Sequence, residues 1–154
     1  MLADFNTLPV SSRIWLYAAE KALTTEQQKH ILTYIAEHLK GWNAHKAPLT
    51  AGVTILENHF IVVALDEGKN GASGCSIDAL QKIIQELEKD LSIALMNRLN
   101  VFCKIGEGIK VIPSFKLGDI ANKDTLFYDL TIQRKEELSN YLKPIKEGWT
   151  KSYL

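Results

Sequence analysis

The side chains best suited to chemistry in this chain fall in two stretches, Trp42–Pro48 and Asp66–Asp78. Cys75 directly precedes an amphipathic run. A thiol at a helix start feels the positive end of the helix dipole and unpaired amides, and both favour thiolate. His45 has the chemistry of a base, or of an imidazolium that stabilises the thiolate, and Asp66 that of a carboxylate orienting the ring. Cys75, His45 and Asp66 are therefore the candidate catalytic set. The competing reading makes Cys75 a small residue that anchors a helix start, since unpaired cysteines are among the most buried residues.

The second stretch also reads as an anion cradle. Gly71-Ala72-Ser73-Gly74-Cys75-Ser76 offers glycines for unusual dihedrals, two hydroxyls and a helix N-terminus. Arg13 adds a guanidinium that can clamp phosphate or carboxylate through two donors. The candidate ligand-binding residues are thus Arg13, Trp42, Glu67, Ser73, Gly74, Ser76 and Asp78, with a small anion as the expected partner. Asp66 and Asp78 count against a densely charged anion. A plain capping loop explains the same residues without a ligand, and Trp42 serves a core as well as a stacking site. No metal site is expected: His30 and His38 lie eight apart, and Cys75 and Cys103 lack a Cys-x-x-Cys companion. No cofactor is implied.

The elements that must position these residues are legible in the pattern. Residues 1–12, ending in Ser11-Ser12, read as a loose arm, and Arg13–Ala18 as a central strand apolar on both faces. Thr24, with Gln27 three residues on, marks a helix start, and Ile31, Ile35, Leu39 and Trp42 follow at helical spacing to an end near Gly41. Residues 42–48 read as a loop, 51–57 as a strand, Asn58-His59 as a tight turn and 60–65 as the most apolar strand. Residues 66–74 carry three glycines and read as a loop. A second helix then starts with Ser76 as its cap and Asp78 in its first turn, presenting Ile77, Leu80, Ile84, Leu87 and Leu91. Strands at 99–105, 109–115 and 125–132 and a helix at 133–142 complete the chain.

The order strand, helix, strand, strand, helix, strand through residue 105 predicts an α+β fold with a ferredoxin-like split β-α-β core and an antiparallel sheet. In that plan the loops at 41–50 and 66–78 become neighbours, together with the start of the first strand at Arg13 and the end of the fourth near Cys103. Ile61, Val63 and Leu65 are as apolar as Phe60, Val62 and Ala64, so both sheet faces must be covered. The expectation is one domain over 1–154. Its core spans about 13–105, and a C-terminal extension, 106–154, covers the second face through Phe115, Leu126, Phe127, Tyr128 and Trp149. A homodimer packed sheet to sheet is the alternative, so monomer and homodimer both stand.

Arg13-Ile14-Trp15-Leu16-Tyr17, Trp42-Asn43-Ala44-His45, Asp66-Glu67 and Ala72-Ser73-Gly74-Cys75-Ser76-Ile77-Asp78 carry a resemblance. In them the chain resembles a family of short bacterial proteins that bear the label "ABC transporter ATPase". The resemblance implies no activity by itself, and the label fails a physical test. A phosphate-binding loop needs Gly-Lys-Ser/Thr, and here Gly68-Lys69 is followed by Asn70.

Composition narrows the function classes further. Eighteen acidic and eighteen basic residues in 154 leave no net charge, which argues against a nucleic-acid partner. The apolar runs Ile14–Ala19 and Phe60–Leu65 are too short for a membrane span. No basic residue precedes Arg13, and two cysteines make no disulfide framework, so a cytoplasmic setting is expected. Three readings follow. The chain binds a small ligand or a protein partner at the 41–50/66–78 edge, or it is a thiol enzyme centred on Cys75 with His45, or it is an assembly protein using its sheet face.

Overall fold

The computed structural model describes residues 1–154 and is α+β with antiparallel sheets. The chain divides into two compact units, residues 1–96 with 133–136, and residues 97–132 with 137–154. The first unit contains β1 (Arg13–Ala18), α1 (Thr25–Lys40), β2 (Asn43–Ala44), β3 (Ala47–Pro48), β4 (Ala51–Leu56), β5 (Phe60–Leu65) and α2 (Gly74–Leu91). Its sheet has the order β1-β5-β4, with β5 in the middle and antiparallel to both neighbours.

Residue types explain these elements. Thr24 and Gln27 form a reciprocal capping box that satisfies the first amides of α1. Ile31, Ile35 and Leu39 of α1 and Leu80, Ile84 and Leu87 of α2 are fully buried against Tyr17, Ile61, Val63 and Leu65. Burying each such side chain contributes about 1.5–3 kcal/mol, which outweighs the modest helix propensity of their β-branched members.

The opposite sheet face carries Ile14, Leu16, Phe60, Val62 and Ala64, all buried. Residues 1–12 are not loose. Leu2 bridges Ala51 in parallel, Asp4 caps a 3-10 turn at Phe5–Thr7, and Phe5 and Leu8 are buried. The segment crosses β4 at Gly52, where an added Cβ would stand 2.6 Å from the Ala3 oxygen and 2.9 Å from the Phe5 nitrogen. Lys135 holds it there: its Nζ donates to the Phe5 oxygen at 2.7 Å and the Leu8 oxygen at 2.8 Å, 4.9 Å from the Phe5 ring centroid.

The four-stranded ferredoxin-like sheet expected from the element order is not what pairs. The strand at 100–105 joins a separate sheet, and β1's outer edge is met by other backbone. Arg13 bridges Arg134, the Ile14 amide donates to the Gln133 oxygen, and the Ala18 amide donates to the Leu95 oxygen. Residues 133–134 are therefore extended, and the expected helix at 133–142 appears as a 3-10 helix over Lys135–Asn140. Leu138 is the one apolar residue of that helix, too little to stabilise an α-helix by packing.

The second unit contains β6 (Asn100–Ile105), β7 (Gly108–Pro113), α3 (Leu117–Ile120), β8 (Leu126–Tyr128) and β9 (Leu142–Pro144), in the sheet order β7-β6-β8-β9. β6 and β7 form a hairpin over a two-residue turn led by Gly106 at φ 65°. The unit has its own apolar cluster of Val101, Cys103, Ile112, Leu117, Phe127 and Ile145. Phe115, expected to cover a sheet face, is 78% exposed, and Leu126 and Trp149 are also exposed.

Asp129 is the buried charge of this unit. Burial alone would raise its carboxyl. The hydroxyl and amide of Thr131 and the Lys143 ammonium at 3.1 Å outweigh that and hold it below the usual carboxylate range. A depressed folded-state value contributes stability that is present above the unfolded value, about 3.9, and lost as pH falls through the folded value. Asp129→Asn should therefore flatten the acid limb of the unfolding profile. Urea titrations between pH 7 and 3 check this, and an acid limb as steep as in the unsubstituted chain would contradict it.

Candidate functional site

The end of the first unit where β1 begins, β5 ends and α2 begins collects most of the chemically competent residues. Arg13 pairs with Leu65 across the sheet, which sets it beside the Asp66 loop. Its guanidinium stands 4.7 Å from the Trp15 ring centroid, and it makes no hydrogen bond or ion pair with the protein. Trp15 meets Trp42 edge to face at 5.7 Å between centroids. Trp42 is buried, and its indole N–H donates to the Ser76 oxygen in the first turn of α2 at 2.8 Å. A continuous run of contacts thus joins an unpaired guanidinium to a helix start. Trp42 is both the core plug and the joint of this edge.

The two loops are neighbours, as the sequence leads one to expect. Asn70 Nδ2 donates to the Pro48 oxygen at 2.9 Å, and the Asp66 amide donates to the Thr50 oxygen at 2.9 Å. Asp66 Oδ1 accepts from the Gly68 amide at 3.0 Å, an Asx turn that opens the glycine-rich loop. Glu67 is engaged by Arg134 at 2.8 Å, so the acidic pair serves loop structure.

Three details differ from expectation. Residues 43–48 form a hairpin, β2 with β3, whose turn residues His45 and Lys46 both take positive φ, 51° and 70°. The α2 cap is Ser73, not Ser76: the Ser73 hydroxyl accepts from the Ser76 amide at 3.1 Å, and the Ser76 hydroxyl accepts from the Ser73 amide at 2.8 Å. The helix therefore starts at Gly74, which places Cys75 inside its first turn and Asp78 beyond it. Asp78 is exposed and does not complement the first-turn dipole.

No hydrogen bond joins the members of the candidate catalytic set. Cys75 and His45 are both exposed, and neither side chain makes a hydrogen bond. Asp66 serves the Gly68 amide and not the imidazole. The capping serines occupy two of the amides at the α2 start, leaving those of Gly74 and Cys75 unpaired there. Cys103, expected at this edge at the end of a fourth strand, lies instead on β6 in the separate sheet of the second unit, its thiol pushed up to about 11 by burial.

Sequence reasoning missed one feature. An open, mostly apolar groove of about 430 Å³ is lined by Leu2, Ala3, Asp4, Phe5, Leu32, Ala36 and Val53. Its signal, the apolar residues of the first eight, was obscured by reading that segment as loose. No group of three or more His, Cys, Asp or Glu side chains stands close enough to hold a metal ion, and no helix is long and apolar enough to cross a membrane. Comparison with family models, curated proteins and solved structures gives no match.

Proposed function

We propose that this chain binds a small anionic ligand, or a protein partner presenting an anionic group, at the edge formed by residues 41–50 and 66–78. The observation that carries the reading is Arg13. Its guanidinium is propped on Trp15, which is backed by Trp42, yet its donors have no protein partner. A guanidinium ordered before binding loses less conformational freedom when it closes on a carboxylate or phosphate. The unpaired Gly74 and Cys75 amides at the α2 start supply further donors of the same kind. Ser73 and Ser76 keep that turn in place, while Glu67 and Asp78 limit how much negative charge the edge accepts.

Thermal unfolding with inorganic phosphate, sulfate and acetate tests the reading. At least one anion should raise the midpoint in a concentration-dependent way, and Arg13→Gln should remove that rise. An Arg13→Gln chain that keeps the full shift would refute the site.

The exposure of Cys75 in the first turn of α2 favours a second reading, a thiol-dependent enzyme with His45 as partner. On that reading Cys75 alkylates fast below the ordinary thiol value of about 8.5, and His45→Ala moves its rate profile to higher pH. Equal, slow alkylation of Cys75 and Cys103 in the folded chain would end it. Neither reading makes the chain a P-loop ATPase, so Mg-ATP should show no saturable binding that depends on Lys69.

A further inference from the structure

Four side chains stand four residues apart in the sequence, His30, Tyr34 and His38 on α1 and Trp42 just beyond it, and therefore share one flank. Three of them meet α2. His30 Nε2 lies 3.9 Å from Asp90 Oδ2, the Tyr34 hydroxyl donates to the Glu86 carboxylate, and the Trp42 indole donates to the Ser76 oxygen. The partners run backward along α2, as an antiparallel helix pair requires. His38 interrupts the row. Its Nε2 is buried and has no hydrogen-bond partner, and its ring stands 6.2 Å from the Trp42 ring at 46°.

We propose that His38 is a proton-operated latch: on taking a proton its ring moves toward Glu86 and away from Trp42, freeing the indole from the first turn of α2. The direction follows from the row. Glu86 is held against Tyr34, one turn before His38, and Trp42 follows one turn after it. A swing toward the carboxylate is therefore a swing away from the indole. A neutral imidazole offers Glu86 a single N–H, whereas the imidazolium offers two donors and a full charge, and so competes with the Tyr34 phenol.

The surrounding charges set the pH at which this happens. Burial holds the His38 imidazole below its ordinary value of about 6.5, and Glu86 opposes that shift, so the ring takes its proton on the acid side of the ordinary histidine range. Lys82 lies one turn before Glu86 on α2, and Asp90 one turn after it beside His30. On α1 itself, Glu37 and Lys40 are exposed and paired with each other at 3.0 Å. Glu86 is thus the acid that acts on His38, and Tyr34, held above its ordinary value first by the hydrogen bond to Glu86, keeps its own proton throughout.

The latch would regulate the edge described under the proposed function and rests on that reading for its consequence. The conformational step itself is measured without any ligand, so the two fail separately. Proton and nitrogen resonances of the Trp42 indole and of the His38 ring are followed from pH 7.5 to 5. Both should titrate with one midpoint below about 6.5, and indole exchange with water should rise about tenfold on the acid side, as local release predicts. His38→Gln, which keeps a polar amide but does not titrate, should hold the Trp42 resonance flat, and Glu86→Gln should lower the His38 midpoint further and shrink the Trp42 transition. A Trp42 resonance that ignores the His38 titration, or one that still titrates in His38→Gln, would overturn the latch.

Discussion

Trp42→Ala should cost about 3–5 kcal/mol of unfolding free energy, because it removes a buried indole whose site cannot fully collapse. Trp42 closes the core cluster between α1 and α2, and it is also what Trp15 leans on and what ties β2 to the start of α2. The same substitution should therefore weaken anion binding by leaving Arg13 and Trp15 without backing. Trp42→Phe separates the two losses. It keeps most of the apolar volume but loses the donor to Ser76, at about 0.5–1.5 kcal/mol. Urea unfolding of both variants, with Arg13→Gln as the binding control, measures each contribution. A Trp42→Ala chain within 1 kcal/mol of the unsubstituted protein, on the order of an ordinary surface substitution, would show that Trp42 is not the joint of this edge.

Gly52→Val gives a result whose sign is opposite to strand propensity. On propensity alone, valine in a strand is favoured over glycine by up to about 1 kcal/mol. Here the Cβ would meet the Ala3 oxygen at 2.6 Å and the Phe5 nitrogen at 2.9 Å, which are backbone atoms that cannot rotate away. The N-terminal segment must lift, exposing Phe5 and loosening the two hydrogen bonds from Lys135. A net loss of about 2–3 kcal/mol is expected, in the upper part of the overpacking range. Amide exchange should localise it, with faster exchange at Ala3 and Ala51, whose backbones are paired. Stabilisation by Gly52→Val would mean that the segment does not cross β4.

What could be read from the sequence depended on how local each signal was. The capping box at Thr24 and Gln27 and the helical stripe Ile31, Ile35 and Leu39 are contained within one element, and both appear as expected. The hairpin at 43–48 was hidden because its turn is His45-Lys46, residues that carry no glycine or asparagine signal for positive φ. The α2 cap slipped by one turn because Ser73 and Ser76 both suit the role, and Gly74 read as loop although it lies inside the helix. Strand partnering failed for a different reason. Asn100–Ile105 is compatible with either sheet, and a nearby hairpin partner across Gly106 costs less loop closure than a place beside β1. The neighbourhood of Arg13, the Asp66 loop and Trp42 was legible from topology. The Trp42–Ser76 bond and the unpaired Arg13 were not, since they depend on side-chain direction.

The central claim is that Arg13 and the α2 start bind an anion together. The most direct measurement is a titration with inorganic phosphate that follows the Arg13 Nε–H and the Gly74 and Cys75 amide resonances in one experiment. The account predicts that all three move along a single saturating curve, and that in Arg13→Gln the two amides lose that response. Amides that shift identically with and without Arg13, or an Arg13 resonance that stays still while phosphate binds elsewhere, would contradict it.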